Sequence, residues 1–175
     1  MGLGAGHGVV LAATDNRWGG RGGAGQSGRP HGSATSAWAV GTYCVSGCLT
    51  RSEVDHGLVL HWNGKAWSEV TTRITSEEYD AVAAVSRTDV WAGGYAPIGK
   101  GLFGPLLVHW TGTTWSKVRD TTGGAALGFS SAANGWAVEG SEIAHWTGTG
   151  WRVTGSPAPL MSVLLVHARD ALERP

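Results

Sequence analysis

Four short apolar runs, each closed off by Gly, Thr, Asn or charged residues, follow one another in the middle of this chain: Val82–Ser86, Val90–Tyr95, Leu106–Trp110 and Thr114–Val118. Runs of this length, separated by turn residues, predict strands. The same series returns downstream as Leu127–Ser131, Gly135–Val138, Glu142–Trp146 and Gly150–Thr154. An upstream copy is clear from Trp38-Ala39-Val40-Gly41 onward, but Arg29-Pro30-His31-Gly32 stands where its opening apolar strand belongs. That first copy is therefore expected to have only three strands. A loose echo of an opener, Gly8 to Gly20, matches Ala81 to Gly94 with a one-residue gap.

One phrase marks every copy. His61-Trp62-Asn63-Gly64-Lys65-Ala66-Trp67 reappears as His109-Trp110-Thr111-Gly112-Thr113-Thr114-Trp115 and as His145-Trp146-Thr147-Gly148-Thr149-Gly150-Trp151. From His to the second Trp the interval is six in all three, whereas the copies start 48 and then 36 residues apart (61 to 109, 109 to 145). The phrase is rigid and its spacers vary. Each phrase holds a Gly able to take positive φ in a tight hairpin turn. Whether that turn has two residues or four, strand parity puts the two Trp rings of each hairpin on one sheet face. Upstream of each phrase, in the same order, stands a Trp-Ala strand at Trp38, Trp91 and Trp136. Nine of the ten Trp residues thus occupy repeat positions, leaving Trp18 outside, so contacts between copies are expected to be made of Trp.

Composition agrees with short strands and tight turns: 29 Gly and 10 Trp accompany only 15% charged residues in 175. Thirteen basic residues balance thirteen acidic ones, which leaves no long-range field for nucleic acid or a membrane surface, and neither is expected as a partner. No apolar run approaches the roughly 20 residues of a spanning helix. Met1 to Thr14 makes a poor secretory signal, because no Lys or Arg precedes the apolar run Val9 to Ala13. The chain is then either cytoplasmic or a piece of a longer exported parent, for which an extracellular location is suspected. Residues 1–32 are Gly-rich and expected to be poorly ordered. Copies are expected at 33–72, 78–120 and 124–155, and Ser162 to Ala171 aligns with Ala81 to Val90, so a fourth opens within 160–175.

Gly135-Trp136-Ala137-Val138, then Ile143-Ala144-His145-Trp146, then Gly150-Trp151 resembles Trp-rich bacterial β-propeller repeats, and more distantly the photosystem II assembly-factor-like and Asp-box propellers. The likeness covers about Ser36 to Asp170. It implies an all-β fold: a partial β-propeller of three four-stranded antiparallel blades plus the first strand of a fourth. The chain departs from the Asp-box pattern, since Trp-Asn-Gly or Trp-Thr-Gly stands where Asp-rich turn residues belong. Propellers close with about four to eight blades, so three and a stub leave edges and faces uncovered, a route to self-association.

Candidate chemistry is sparse. Cys44 and Cys48 are expected to form a disulfide pinning the loop after Trp38, in an oxidising compartment; reduced thiols, or zinc with His56 and His61, are the alternatives. His61, His109 and His145 recur in every copy, which points to packing, because an active site needs different residues converging from several copies. Glu77, Glu78 and Asp80 read as a solvated connector. No nucleophile with its base, carboxylate pair or phosphate loop is found, so no catalytic, cofactor-binding or metal residue is expected and no cofactor is implied. The spacing from the Trp-Ala strand to the His-Trp strand runs 23, 18 and 9 (38 to 61, 91 to 109, 136 to 145), which concentrates variation on one face. Loops that vary over a fixed scaffold carry binding. Tyr43–Gly57 and Tyr95–Pro105 are the candidate surfaces, with Tyr43, Glu53, Asp55 and Tyr95 as candidate contacts. The expected function is a non-enzymatic scaffold presenting a protein- or glycan-binding face. The alternatives are a remnant of an exported sialidase-like hydrolase, or a truncated product with no function.

Overall fold

The computed structural model describes residues 10–13, 35–46, 54–75, 78–118, 126–139 and 142–155, with the backbone alone for 10–13 and 54–55. Every regular element among them is a β-strand. The first sheet is β1 (Val10–Ala13), β2 (Ala37–Ser46), β3 (Val54–Trp62) and β4 (Trp67–Glu69). The second is β5 (Glu78–Ser86), β6 (Asp89–Gly99), β7 (Leu102–Trp110) and β8 (Trp115–Lys117). The third is β9 (Ala126–Ser131), β10 (Asn134–Glu139), β11 (Glu142–Trp146) and β12 (Trp151–Val153). In each, consecutive strands pair antiparallel. The expected fourth opener in 160–175 lies outside the described residues.

The first sheet has four strands where its damaged opener predicts three, and the rest of 1–32 lies outside the described residues. Its opening strand is Val10–Ala13, at the faint upstream echo, with Ala12 opposite Trp38 just as Ala83 lies opposite Trp91. Val10-Leu11-Ala12-Ala13 and Ala81-Val82-Ala83-Ala84 pair in the same register with the strand that follows. Residues 14–36 intervene between β1 and β2, where the later sheets have tight turns. Such an insertion is tolerated because closing a loop becomes costlier only with the logarithm of its length, about 0.6 kcal/mol per doubling.

The His-Trp phrases fold identically. Trp62 pairs with Trp67, Trp110 with Trp115 and Trp146 with Trp151 across four-residue loops. Their ring centroids lie 5.8, 5.8 and 5.6 Å apart. The loops close by Asn63 N–H to Ala66 C=O, Thr111 N–H to Thr114 C=O and Thr147 N–H to Gly150 C=O. Gly64, Gly112 and Gly148 adopt φ of 95°, 96° and 89°, a left-handed backbone that strains any residue with a Cβ.

Period-two alternation then stacks the sheets. Trp38, Val40 and Val59 on one face of the first sheet meet Val82, Val90, Ala92, Leu106, Val108 and Trp115 of the second. The opposite face of the second, with Ala83, Trp91 and Leu107, meets Phe129, Leu127, Trp146 and Trp151 of the third. Both junctions share one device. The Trp38 centroid is 5.5 Å from both Trp110 and Trp115, and that of Trp91 is 5.1 Å from Trp146 and 5.5 Å from Trp151. One ring of each sheet enters the ring pair of the next.

Candidate functional site

Each of the three histidines is held by a small repeated cluster. His61 lies opposite Trp38, His109 opposite Trp91 and His145 opposite Trp136, and in each pair imidazole and indole stack at 4.4, 3.9 and 4.2 Å. Two residues before each Trp stands a hydrogen-bond partner for the imidazole. Ser36 Oγ is 3.0 Å from His61 Nε2; His109 Nε2 donates to Asp89 Oδ1 at 2.8 Å and His145 Nε2 to Asn134 Oδ1 at 2.7 Å. Burial, and secondly the Arg87 charge, push the His61 imidazole below its ordinary value, which keeps it neutral at pH 7. Ser, Asp and Asn interchange at this position because the imidazole needs only a partner within hydrogen-bonding reach. Ser36, Asp89 and Asn134 differ in type, which hides them among repeated residues, although their constant place two before each Trp is legible in the sequence. Among the described residues, no three His, Cys, Asp or Glu side chains converge in a way that could hold a metal ion.

Asp89 does more than its counterparts, since its Oδ1 also accepts from Trp91 Nε1 at 2.9 Å. Ser36 is too short for both tasks, and Trp38 Nε1 is buried with no hydrogen-bond partner among the described residues. Asp89→Ala should therefore lower stability by about 1–3 kcal/mol, because a buried indole N–H loses its acceptor. Asp89→Asn keeps the acceptor that Asn134 supplies to His145 and should cost less than half as much. Urea denaturation of the two variants checks the ordering.

The second candidate region lies at the opposite end of the sheets from the Gly turns. Here Tyr95–Pro105 is not a loop. β6 and β7 stay paired from Tyr95↔Pro105 through Pro97↔Phe103 to Gly99↔Leu102, turning over Lys100. Tyr43 likewise pairs with His56 and Cys44 with Asp55, so much of Tyr43–Gly57 is strand. By contrast β10 and β11 end at Glu139↔Glu142. Length variation is thus absorbed as hairpin arms, in which paired strands satisfy the backbone that a long loop would leave open. The arm of the second sheet exposes Ile98, Leu102 and Phe103, and the β2 arm exposes Tyr43 and Val45.

Of the four candidate contacts, Tyr43 and Tyr95 have described side chains, and they lie on different sheets. Tyr43 is exposed on its arm, its ring 6.1 Å from that of His56. Tyr95 is half-buried and donates its hydroxyl to Glu139 Oε1, clipping the second sheet to the third. That bond first, then burial and the charges of Glu139, Asp80 and Glu78, hold the Tyr95 hydroxyl protonated well above the ordinary tyrosine range. Glu53 and Cys48, and with Cys48 the expected disulfide, lie outside the described residues, as does the side chain of Asp55. The exposed tip residues Ile98, Leu102 and Phe103 were not singled out from sequence, because Gly and Pro between them read as loop punctuation. Comparison with family models, with curated proteins and with solved structures finds no match to this chain.

Proposed function

We propose that this chain is a non-enzymatic binding scaffold, its three sheets forming consecutive blades of a β-propeller and its hairpin arms contacting a partner. Support for the propeller reading is the constant order of the stack: the same face of each sheet meets the opposite face of the next, through the same Trp device. The observation that carries the binding reading is the apolar character of the arms. Ile98, Leu102 and Phe103 stand in solvent at the end of a hairpin whose counterpart in the third sheet is cut short. Exposed apolar groups clustered on a rigid projection mark interaction sites. They are mainly aliphatic, which favours a protein surface over a glycan.

The test is binding of the purified chain to protein and glycan arrays. A protein ligand is expected, and the triple variant Ile98→Ser, Leu102→Ser, Phe103→Ser should lose about tenfold or more of the affinity, equal to about 1.4 kcal/mol. A ligand bound equally well by the variant, or no ligand on either array, removes this reading.

A further inference from the structure

We propose that the two end faces of the three-sheet stack are complementary halves of one interface, and that a second copy of this chain occupies them head to tail. This surface is separate from the hairpin arms and does not depend on their role.

Equivalent residues differ sharply between the inside and the ends of the stack. Trp38 and Trp91, which enter the ring pair of the next sheet, are 1% and 2% exposed, whereas Trp136 at the same position of the third sheet is 39% exposed. On the receiving side, Trp115 is 7% exposed, whereas Trp67, its equivalent in the first sheet, is 45% exposed. Several aliphatic neighbours follow, although Val138 and Ala39 on the same two faces are buried. Val59 and Leu107 are buried while their third-sheet counterpart Ile143 is half-buried; Leu106 and Val108 are buried while Leu58 and Leu60 are half-buried. The inserting face of the third sheet and the receiving face of the first therefore carry the same chemistry as the two junctions already formed, and each lacks part of its cover.

Charge agrees with this pairing. Arg152 lies opposite His145, hence on the Trp136 face, and Glu69 lies opposite Leu60, hence on the Trp67 face. Both are exposed. A contact that uses two different faces is heterologous, so it ends in a ring if the rotation closes and in a filament if it does not. Two chains of three sheets fall within the roughly four to eight sheets with which propellers close. A closed pair is the expected product.

Light scattering coupled to size exclusion reads the outcome directly. At micromolar concentration the wild-type chain should show about twice the 18.1 kDa of a single chain. Trp67→Lys and Trp136→Lys should each run as single chains, because each destroys one half of every contact. Mixed together they should recover a two-chain species, in which the intact inserting face of one meets the intact receiving face of the other. If either variant loses its β-sheet circular dichroism, Glu69→Arg and Arg152→Glu replace them on exposed outer-strand positions. Each alone brings like charges together and should dissociate; the mixture pairs opposite charges and should reassemble. A wild-type chain that remains at 18.1 kDa throughout overturns the proposal without any variant. So does assembly that survives the single substitutions, or that the mixtures fail to restore.

Discussion

Trp91→Ala should lower the unfolding free energy by about 3–5 kcal/mol, the range for removing a large buried ring. Trp91 is the hub of the second junction. Its ring stacks on His109 at 3.9 Å, faces Phe129 at 5.4 Å, enters the Trp146–Trp151 pair, and donates to Asp89. Truncation opens a cavity between two sheets and leaves the rings of the third without their partner. Small domains are stable by only about 5–15 kcal/mol, so the variant should sit near its unfolding midpoint at low urea. Trp136→Ala, an identical change at the same repeat position, should cost less than half as much, because that ring is already partly in water. Urea titration at a protein concentration low enough to keep chains apart gives both values. Equal losses would mean that position within the repeat, and not burial, sets the energy.

Gly94→Ala should be nearly as damaging for a different reason. Gly94 pairs with Tyr79 where β5 is bulged, and a Cβ there would lie 2.1 Å from the Glu78 carbonyl oxygen and 2.8 Å from Tyr79 Cα. Both obstacles are backbone, so relief requires β5 itself to move. Overpacking of this kind costs about 1–3 kcal/mol and can exceed it when the neighbour is rigid. Gly104→Ala is the informative control, since the three atoms nearest its Cβ would all belong to the side chain of Ile98, an exposed group free to swing aside. That substitution should be close to neutral, helped by the roughly 0.4–1 kcal/mol that losing a Gly takes from the unfolded chain's entropy. Thermal melts of the two variants separate the cases, and a tolerant Gly94 would show that β5 can shift.

The part of the fold that sequence reading recovered is the part that repeats. Three His-Trp hairpins with both rings on one face, and the strand series of the second and third copies, follow from spacing alone, because turn geometry and period two act over a few residues. β1 was only faintly legible. Val10-Leu11-Ala12-Ala13 sits within the loose Gly8 to Gly20 echo, but four residues in Gly-rich surroundings are too few to fix a strand until Trp38 and Ala39 offer an edge to pair with. The arms escaped sequence reading, since Pro97, Gly99 and Pro105 read as a loop while their backbone pairs across the hairpin. At the candidate site, Tyr43 was legible as an exposed aromatic, but Tyr95 was not legible as a clip. Its partner Glu139 lies 44 positions away and on another sheet.

Local chemistry in this chain therefore determined the unit: which residues form strands, where the chain turns, and which face carries the rings. Only the tertiary structure decided how the same residue is used in different copies. Trp38, Trp91 and Trp136 begin with one environment along the chain, yet the first two are sealed by a neighbouring sheet and the third is partly open to water. Burial depends on what packs from outside the repeat, and no short-range pattern encodes that.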